Sequence, residues 1–300
     1  MAAHEKEYSV KRMCKVLGVQ RSGYYAWKRR PTSSREKANV ELLKKIREAF
    51  EISRKTYGSL RIRQYWLRRG YNFSRYRVAR MMKKANLVPR KATKWHPQTT
   101  KQRPGARIAP NLLNQEFRAS RPNEKWVGDI TYIETAEGWL YLACILDLYS
   151  RQVVGWAMSD RMDASLVQKA WEMAIINRHP PARLLHHTDR GCQYTSDVYL
   201  KLLEKAQCRI SMSRTGNCYD NAAMESFFAT LKGECAYRVF TTKAEARLAI
   251  FEFIEVWYNR QRLHSSLGYR SPVEFEQLLL SGHFLCPLFR SFPHIIQLMT

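Results

Sequence analysis

Apolar residues recur at helical spacing through the first part of the chain and at strand spacing from Asn123 onward. Val10, Met13, Cys14 and Leu17 follow the i, i+3, i+4, i+7 pattern behind Ser9, which can cap a helix, and Gly18 breaks the run. Arg21–Trp27 supplies a second short helix, so residues 1–30 have the grammar of a small helix-turn-helix. A second helical unit spans 36–88, with helices predicted over 38–52, 59–69 and 75–85, punctuated by Gly58 and Gly70 and capped at Ser74. In the last of these, Val78, Met81 and Met82 share an inner face while Arg75, Arg77, Arg80, Lys83 and Lys84 point outward. Residues 89–122 are rich in proline and basic side chains and poor in apolar ones before Leu112, the composition of a linker that need not fold alone.

From Asn123 the period changes. Trp126–Ile133 alternates, with Val127, Asp129, Thr131 and Ile133 on one face; Gly138 marks a turn; Trp139–Leu146 is a continuous apolar run of buried-strand type. Val153–Met158 supplies a third strand. A helix over Asp163–Asn177, a strand over Arg183–Thr188, a helix over Ser196–Ala206, a strand over Arg209–Met212 and a helix over Tyr219–Ala236 follow. The order βββαβαβα predicts an α/β domain over 123–280 with a mixed sheet, three antiparallel strands followed by α/β crossovers. Trp126, Trp139, Trp156 and Trp171 are expected in its core. A further helix over Lys243–Tyr258 precedes a polar turn and a short segment closing at Leu280; residues 281–300 form an apolar tail with no assigned role.

Charge divides the chain at the same place. Residues 1–122 hold 32 Lys and Arg against 7 Asp and Glu, so the whole net charge of +25 lies there, and the remainder is neutral. From Ile52 to Gln115, 64 residues contain no carboxylate and 17 basic side chains. A single-sign surface repels itself, and a polyanion relieves that repulsion, so nucleic acid is the expected partner. No segment has the ~18 apolar residues of a membrane span, the N-terminus lacks a secretory signal, and the seven cysteines show no zinc spacing. These features predict reduced thiols and a cytoplasmic location, without a membrane partner.

Three carboxylates carry the candidate chemistry. Asp129 lies mid-strand on a face otherwise lined by Val127, Thr131 and Ile133, where ionisation is costly without a partner. Asp189 ends a strand, where side chains project toward the crevice of an α/β sheet. Glu225 follows the polar turn SRTGNCYDN on a helix, with Lys232 seven residues on and nearly on the same face. Each alone also fits a turn, ion-pair or solvated-helix role, but the strand order allows all three to converge. Two charges ~4 Å apart repel by ~4 kcal/mol at an effective dielectric of 20, so a converged set calls for Mg²⁺ or Mn²⁺. Two such ions would clamp an in-line phosphoryl displacement.

The segments WVGDITYI, LHHTDRGCQYTS, DNAAMESFFATLK and YNRQRLHSSLGYRSP, with 35 residues between Asp189 and Glu225, resemble those of DDE transposases with an integrase-type, RNase H-like catalytic core. The likeness is closest to the OrfB transposases of insertion sequences with two overlapping reading frames and covers about residues 8–280. It implies that Asp129, Asp189 and Glu225 are the metal-binding catalytic triad, that Lys232 contacts DNA, and that the reaction is metal-dependent 3′-end cleavage followed by strand transfer. It also implies double-stranded DNA and a second copy of the chain as partners, together with an upstream-frame product or fusion bearing a leucine zipper. No heptad repeat of that kind occurs in this chain.

Other residues have plainer roles. Asp147 is expected to be structural, at most one of His186 and His187 faces the pocket, and Tyr258 packs a helix end. Two rival functions share these features: a metal-dependent RNase H-fold nuclease that cuts without joining, and a non-catalytic DNA-binding regulator.

Overall fold

The computed structural model describes residues 1–90, 107–214 and 218–280. Its N-terminal helices are α1 (Val10–Val16) and α2 (Arg21–Arg29), and the Ser9 hydroxyl accepts from the Arg12 amide at the start of α1. Three longer helices follow: α3 (Ser34–Ile52), α4 (Ser59–Leu67) and α5 (Arg75–Lys84). Leu42, Ile46 and Phe50 of α3, Ile62 and Trp66 of α4, and Val78, Met81 and Met82 of α5 are buried together. Ser74 caps α5 by accepting from the Arg77 amide at 3.4 Å, and Gly70 takes a φ of +83° that lets the chain turn out of α4.

The α/β fold expected from the strand order is present. A five-stranded sheet has the order β3-β2-β1-β4-β5, formed by β1 (Lys125–Thr135), β2 (Gly138–Asp147), β3 (Val153–Ser159), β4 (Leu185–Thr188) and β5 (Arg209–Met212). The first three strands pair antiparallel; β4 lies parallel to β1, and β5 parallel to β4. Helices α6 (Ala164–Arg178) and α7 (Asp197–Lys205) pack on one face over Trp126, Ala143, Ile145 and Val154. The other face, with Val127, Ile133, Leu140 and Leu142, is covered by α8 (Ala222–Glu234) and α9 (Lys243–Phe251). The expected helix over Lys243–Tyr258 widens into a π-helical turn at Glu252–Tyr258, which places Phe253, Ile254, Trp257 and Tyr258 all in the core. Helix α10 (Pro272–Leu280) closes the described chain.

Two expectations change on contact with the structure. Trp139 is not a core residue: it is 47% exposed, because it begins the β1–β2 hairpin, and its ring meets Tyr132 edge-on at 4.9 Å. The chain expected to be linker is already packed from Arg107 onward. Leu113 is buried, and the Leu112 and Leu113 amides donate to the Ser211 hydroxyl at 2.8 and 3.1 Å. The basic residues at 91–106 and the apolar tail at 281–300 lie outside the described residues. Among the described residues no helix is long and apolar enough to cross a membrane.

Candidate active site

The sheet register brings two of the three candidate carboxylates level. Strands β1 and β4 pair as Trp126 with His186 and Val127 with His187, so two residues further on Asp129 stands beside Asp189. Side chains alternate along strands, so both lie on the face that carries Val127 and α8. Asp129 is half-buried, and its Oδ1 accepts from the Ile130 amide at 2.8 Å. Its carboxyl is pushed well above the usual range, first by burial and then by the negative charge of Asp189; Glu225 adds to the shift, while the Ile130 amide and Lys232 oppose it.

Helix α8 carries the other two residues. Its start is fixed by a short 3₁₀ turn, Cys218–Asn221, in which Asp220 is fully buried. Asp220 accepts from the backbone and guanidinium of Arg214 at 2.8–3.0 Å, from Asn111 at 2.9 Å and from Gln115 at 3.0 Å. The Arg214 guanidinium holds this carboxyl well below its ordinary range. Asn221 reaches the Gly128 carbonyl at 3.5 Å, next to Asp129. These contacts set α8 against β1, and sequence reasoning missed them. The signal was an Asp two residues before the helix, in a stretch already rich in functional side chains.

Glu225 stands on the first turn of α8, largely exposed, and partial desolvation raises its carboxyl. Lys232, half-buried on the last turn, places its ammonium 4.9 Å from the Tyr132 ring centroid. Desolvation lowers Lys232 to about 8, and the charge of Asp129 acts against that shift. Lys232, Tyr132 and the exposed Trp139 thus form a cationic and aromatic shoulder beside the carboxylates.

Asp129 and Asp189 form the near pair, and Glu225 acts on Asp129 through space. Among the described residues, no three His, Cys, Asp or Glu side chains stand close enough to hold a metal ion. The donor chemistry of the pair still fits a hard divalent cation. Both groups are oxygen ligands, and Asp129 is raised first by burial and then by the charge of Asp189, a cost of ionisation that such a cation would offset.

The remaining candidates fall elsewhere. Arg75, Arg80, Lys83 and Lys84 are exposed on α5, in the helical region. Arg77 is not fully outward: it is half-buried, and its Nε and Nη2 donate to Asn39 Oδ1 at 3.0 and 2.9 Å. Asp147 is fully buried and accepts from the Asn123 and Tyr149 amides at 2.7 Å and from the Trp126 indole at 3.2 Å, a structural role. Both histidines are buried. His186 meets the Tyr199 hydroxyl at 2.9 Å and His187 meets Ser211 and Ser213, with burial lowering them to about 3 and about 4. Tyr258 is buried against Phe227 and His264.

Fold and carboxylates together define an integrase-type core joined to a basic helical region. The integrase core domain matches at residues 119–218 and a second integrase core domain description at 206–272, while an HTH-like domain matches at 37–95. The chain is 45% identical over 267 residues to the insertion element IS600 uncharacterized 31 kDa protein of Shigella sonnei, covering 88% of this chain and 97% of that one. It is 43% identical over 276 residues to the transposase InsF for insertion sequence IS3A of Escherichia coli (strain K12), covering 91% and 96%. Among solved structures, the simian T-cell lymphotropic virus intasome in complex with PP2A regulatory subunit B56 gamma aligns at 16% identity and a TM-score of 0.46, covering 73% of this chain and 72% of that one. The chain belongs to the family of insertion-sequence transposases that includes InsF of IS3.

Proposed function

We propose that this chain cleaves the 3′ ends of an insertion element and transfers them to target DNA, with Asp129, Asp189 and Glu225 as its metal-binding catalytic carboxylates. The single observation that carries the reading is the side-by-side placement of Asp129 and Asp189 by the parallel β1–β4 pair, on the face that α8 covers. Asp129 and Asp189 hold Mg²⁺ or Mn²⁺, Glu225 completes the ligand set from α8, and two ions are expected. A bound divalent cation supplies Lewis-acid activation of the attacking oxygen and stabilises charge on the leaving one.

The protein's own groups supply position. Asp129 is fixed by the Ile130 amide, and the Asp220 contacts hold the start of the helix that carries Glu225. Lys232, beside Tyr132, receives a DNA phosphate close to the reacting bond. The exposed basic residues Arg75, Arg80, Lys83 and Lys84 of α5, with Arg77 braced on Asn39, bind the duplex through its backbone.

This reading divides the chain into a helix-turn-helix-like segment (1–30), a basic DNA-binding region (36–88), a connecting stretch (89–122) that packs on the core from Arg107 onward, and a catalytic core (123–280). Its partners are element ends, target DNA, a second copy of the chain and an upstream-frame product, met in the cytoplasm.

The test supplies the purified full chain with a pre-nicked element end, a target duplex and Mg²⁺ or Mn²⁺. Joined products are expected, and Asp129→Asn and Glu225→Gln should reduce them to background while the chains still bind DNA. Joining that survives Glu225→Gln removes that residue from the triad. On an intact element end, cutting without joining would favour the nuclease reading, and DNA binding with neither step, unchanged by Asp129→Asn, would favour the regulator.

A further inference from the structure

A second, positively charged site lies where the helical region, α8 and the closing segment meet. A cavity of about 430 Å³ opens there, walled by Arg61 of α4, Arg151, Arg262, His264, and Ser226 and Thr230 of α8. The charge inside it is not balanced. Glu234 is fully engaged by Arg262, which donates Nε and Nη2 to its carboxylate at 2.8–3.0 Å. Arg151 spends one N–H on the Phe117 carbonyl at 3.1 Å. Arg61 is half-buried, faces the Tyr57 ring, and makes no hydrogen bond or ion pair to a described residue. Guanidinium groups cannot shed their protons to escape such crowding.

His264 adds an unsatisfied polar group to the cavity wall. It is 8% exposed, and its Nε2 is buried with no hydrogen-bond partner. Burial first, and then the charges of Arg262, Arg61 and Arg151, push its ring well below the ordinary imidazole range, while a hydrogen bond to the Tyr258 backbone opposes the shift. The Ser226 hydroxyl also has no partner among the described residues. The guanidinium N–H donors of Arg61 and Arg151 and the Ser226 hydroxyl line one cavity and match a phosphate group, whose oxygens accept from each.

We infer that this cavity binds a phosphate group, one site separate from the carboxylates and held jointly by the helical region and α8. Ser226 and Thr230 share a stripe of α8 roughly 100° around the helix from the Glu225–Lys232 stripe. A phosphate seated there would therefore tie α4 to the helix that carries Glu225. The phosphate can come from the DNA backbone or from free inorganic phosphate. The first source rests on the DNA-processing role proposed above; the second does not.

The experiment compares the full-length wild type with Arg61→Gln, Thr230→Glu and the distant control Arg75→Gln. In a chloride buffer, inorganic phosphate should raise the wild-type melting midpoint saturably, by roughly 2–4 °C. Arg61→Gln should lose that rise, and Arg75→Gln should keep it. Thr230→Glu brings a carboxylate to the cavity, so it should melt higher than wild type in chloride and no longer respond to phosphate.

Duplex binding across a salt series identifies the source. If the occupant is a DNA phosphate, Arg61→Gln makes the slope of log K against log salt shallower by about one. If it is free phosphate, the slope is unchanged while the thermal response is lost. A wild type that ignores phosphate with an unchanged salt slope in Arg61→Gln, or a phosphate response intact in both cavity variants, overturns the site. An unchanged salt slope in Arg75→Gln would instead count against the proposed DNA face of α5.

Discussion

Asp129 ionises beside Asp189 in a site that water reaches only partly, and its carboxyl is pushed well above the usual range by burial and by that neighbour. A carboxyl raised in the fold binds its proton more tightly there than in the unfolded chain. Its stabilising contribution is present below the ordinary carboxylate range and is lost as pH rises through the raised value, because burial and the Asp189 charge oppose its ionisation. Asp129→Asn removes that repulsion and is expected to melt higher than wild type without divalent ions, by roughly 2–5 °C. Mg²⁺ should then raise the wild type more than the variant; equal responses would show that Asp129 holds no ion.

His186 gives a second residue-scale effect of opposite pH sense. Burial holds it near 3, while the unfolded ring titrates near 6.5, so below that pH the unfolded chain gains a proton that the fold refuses. This group's contribution is present above about 6.5 and falls with pH, by about 2 kcal/mol at pH 5. His186→Gln can keep a hydrogen bond to the Tyr199 hydroxyl without titrating. Its stability should therefore fall less between pH 7 and pH 5, a difference that denaturant melts at the two pH values would measure.

The secondary-structure elements follow their local sequence closely, and the departures have physical causes. Alternation in Trp126–Ile133, the apolar run Trp139–Leu146 and the caps at Ser9 and Ser74 mark strands and helices that the structure contains. The π-helical turn was not legible, because a widened turn keeps the same apolar spacing as the helix it interrupts. Trp139 was misplaced because a periodic pattern cannot say where covering helices stop. The strand order allowed Asp129 and Asp189 to converge without fixing their pairing, whereas the Asp220 network joins residues distant in sequence and leaves no periodic trace. Gly155 was equally silent. A Cβ added there would lie 2.2 Å from the Ala170 carbonyl and 2.6 Å from the Ala174 Cβ, so β3 and α6 touch backbone to backbone. Gly155→Ala should push α6 off the sheet and cost about 3 kcal/mol or more, read as a fall in the denaturation midpoint.

The strongly basic helical region does not simply trail from the core. Tyr57 is buried against Trp257, their ring centroids 5.7 Å apart, and its hydroxyl accepts from the Leu263 amide at 2.7 Å. Arg68 grips Glu274 of α10 with two hydrogen bonds at 2.9 and 3.2 Å, so a carboxylate of the closing segment faces the excess charge of the helices. The apolar contacts that bury α3 to α5 continue into those beneath α8 and the π-helical turn. A chain joined this way should unfold in one calorimetric transition. Tyr57→Phe keeps the ring packing but leaves the Leu263 amide without its acceptor, at a cost of about 1–3 kcal/mol. The expected result is a lower midpoint with the transition still single. Two resolved transitions in the wild type would mean that the helical region and the core fold separately, and that DNA held by one does not mechanically reach the other.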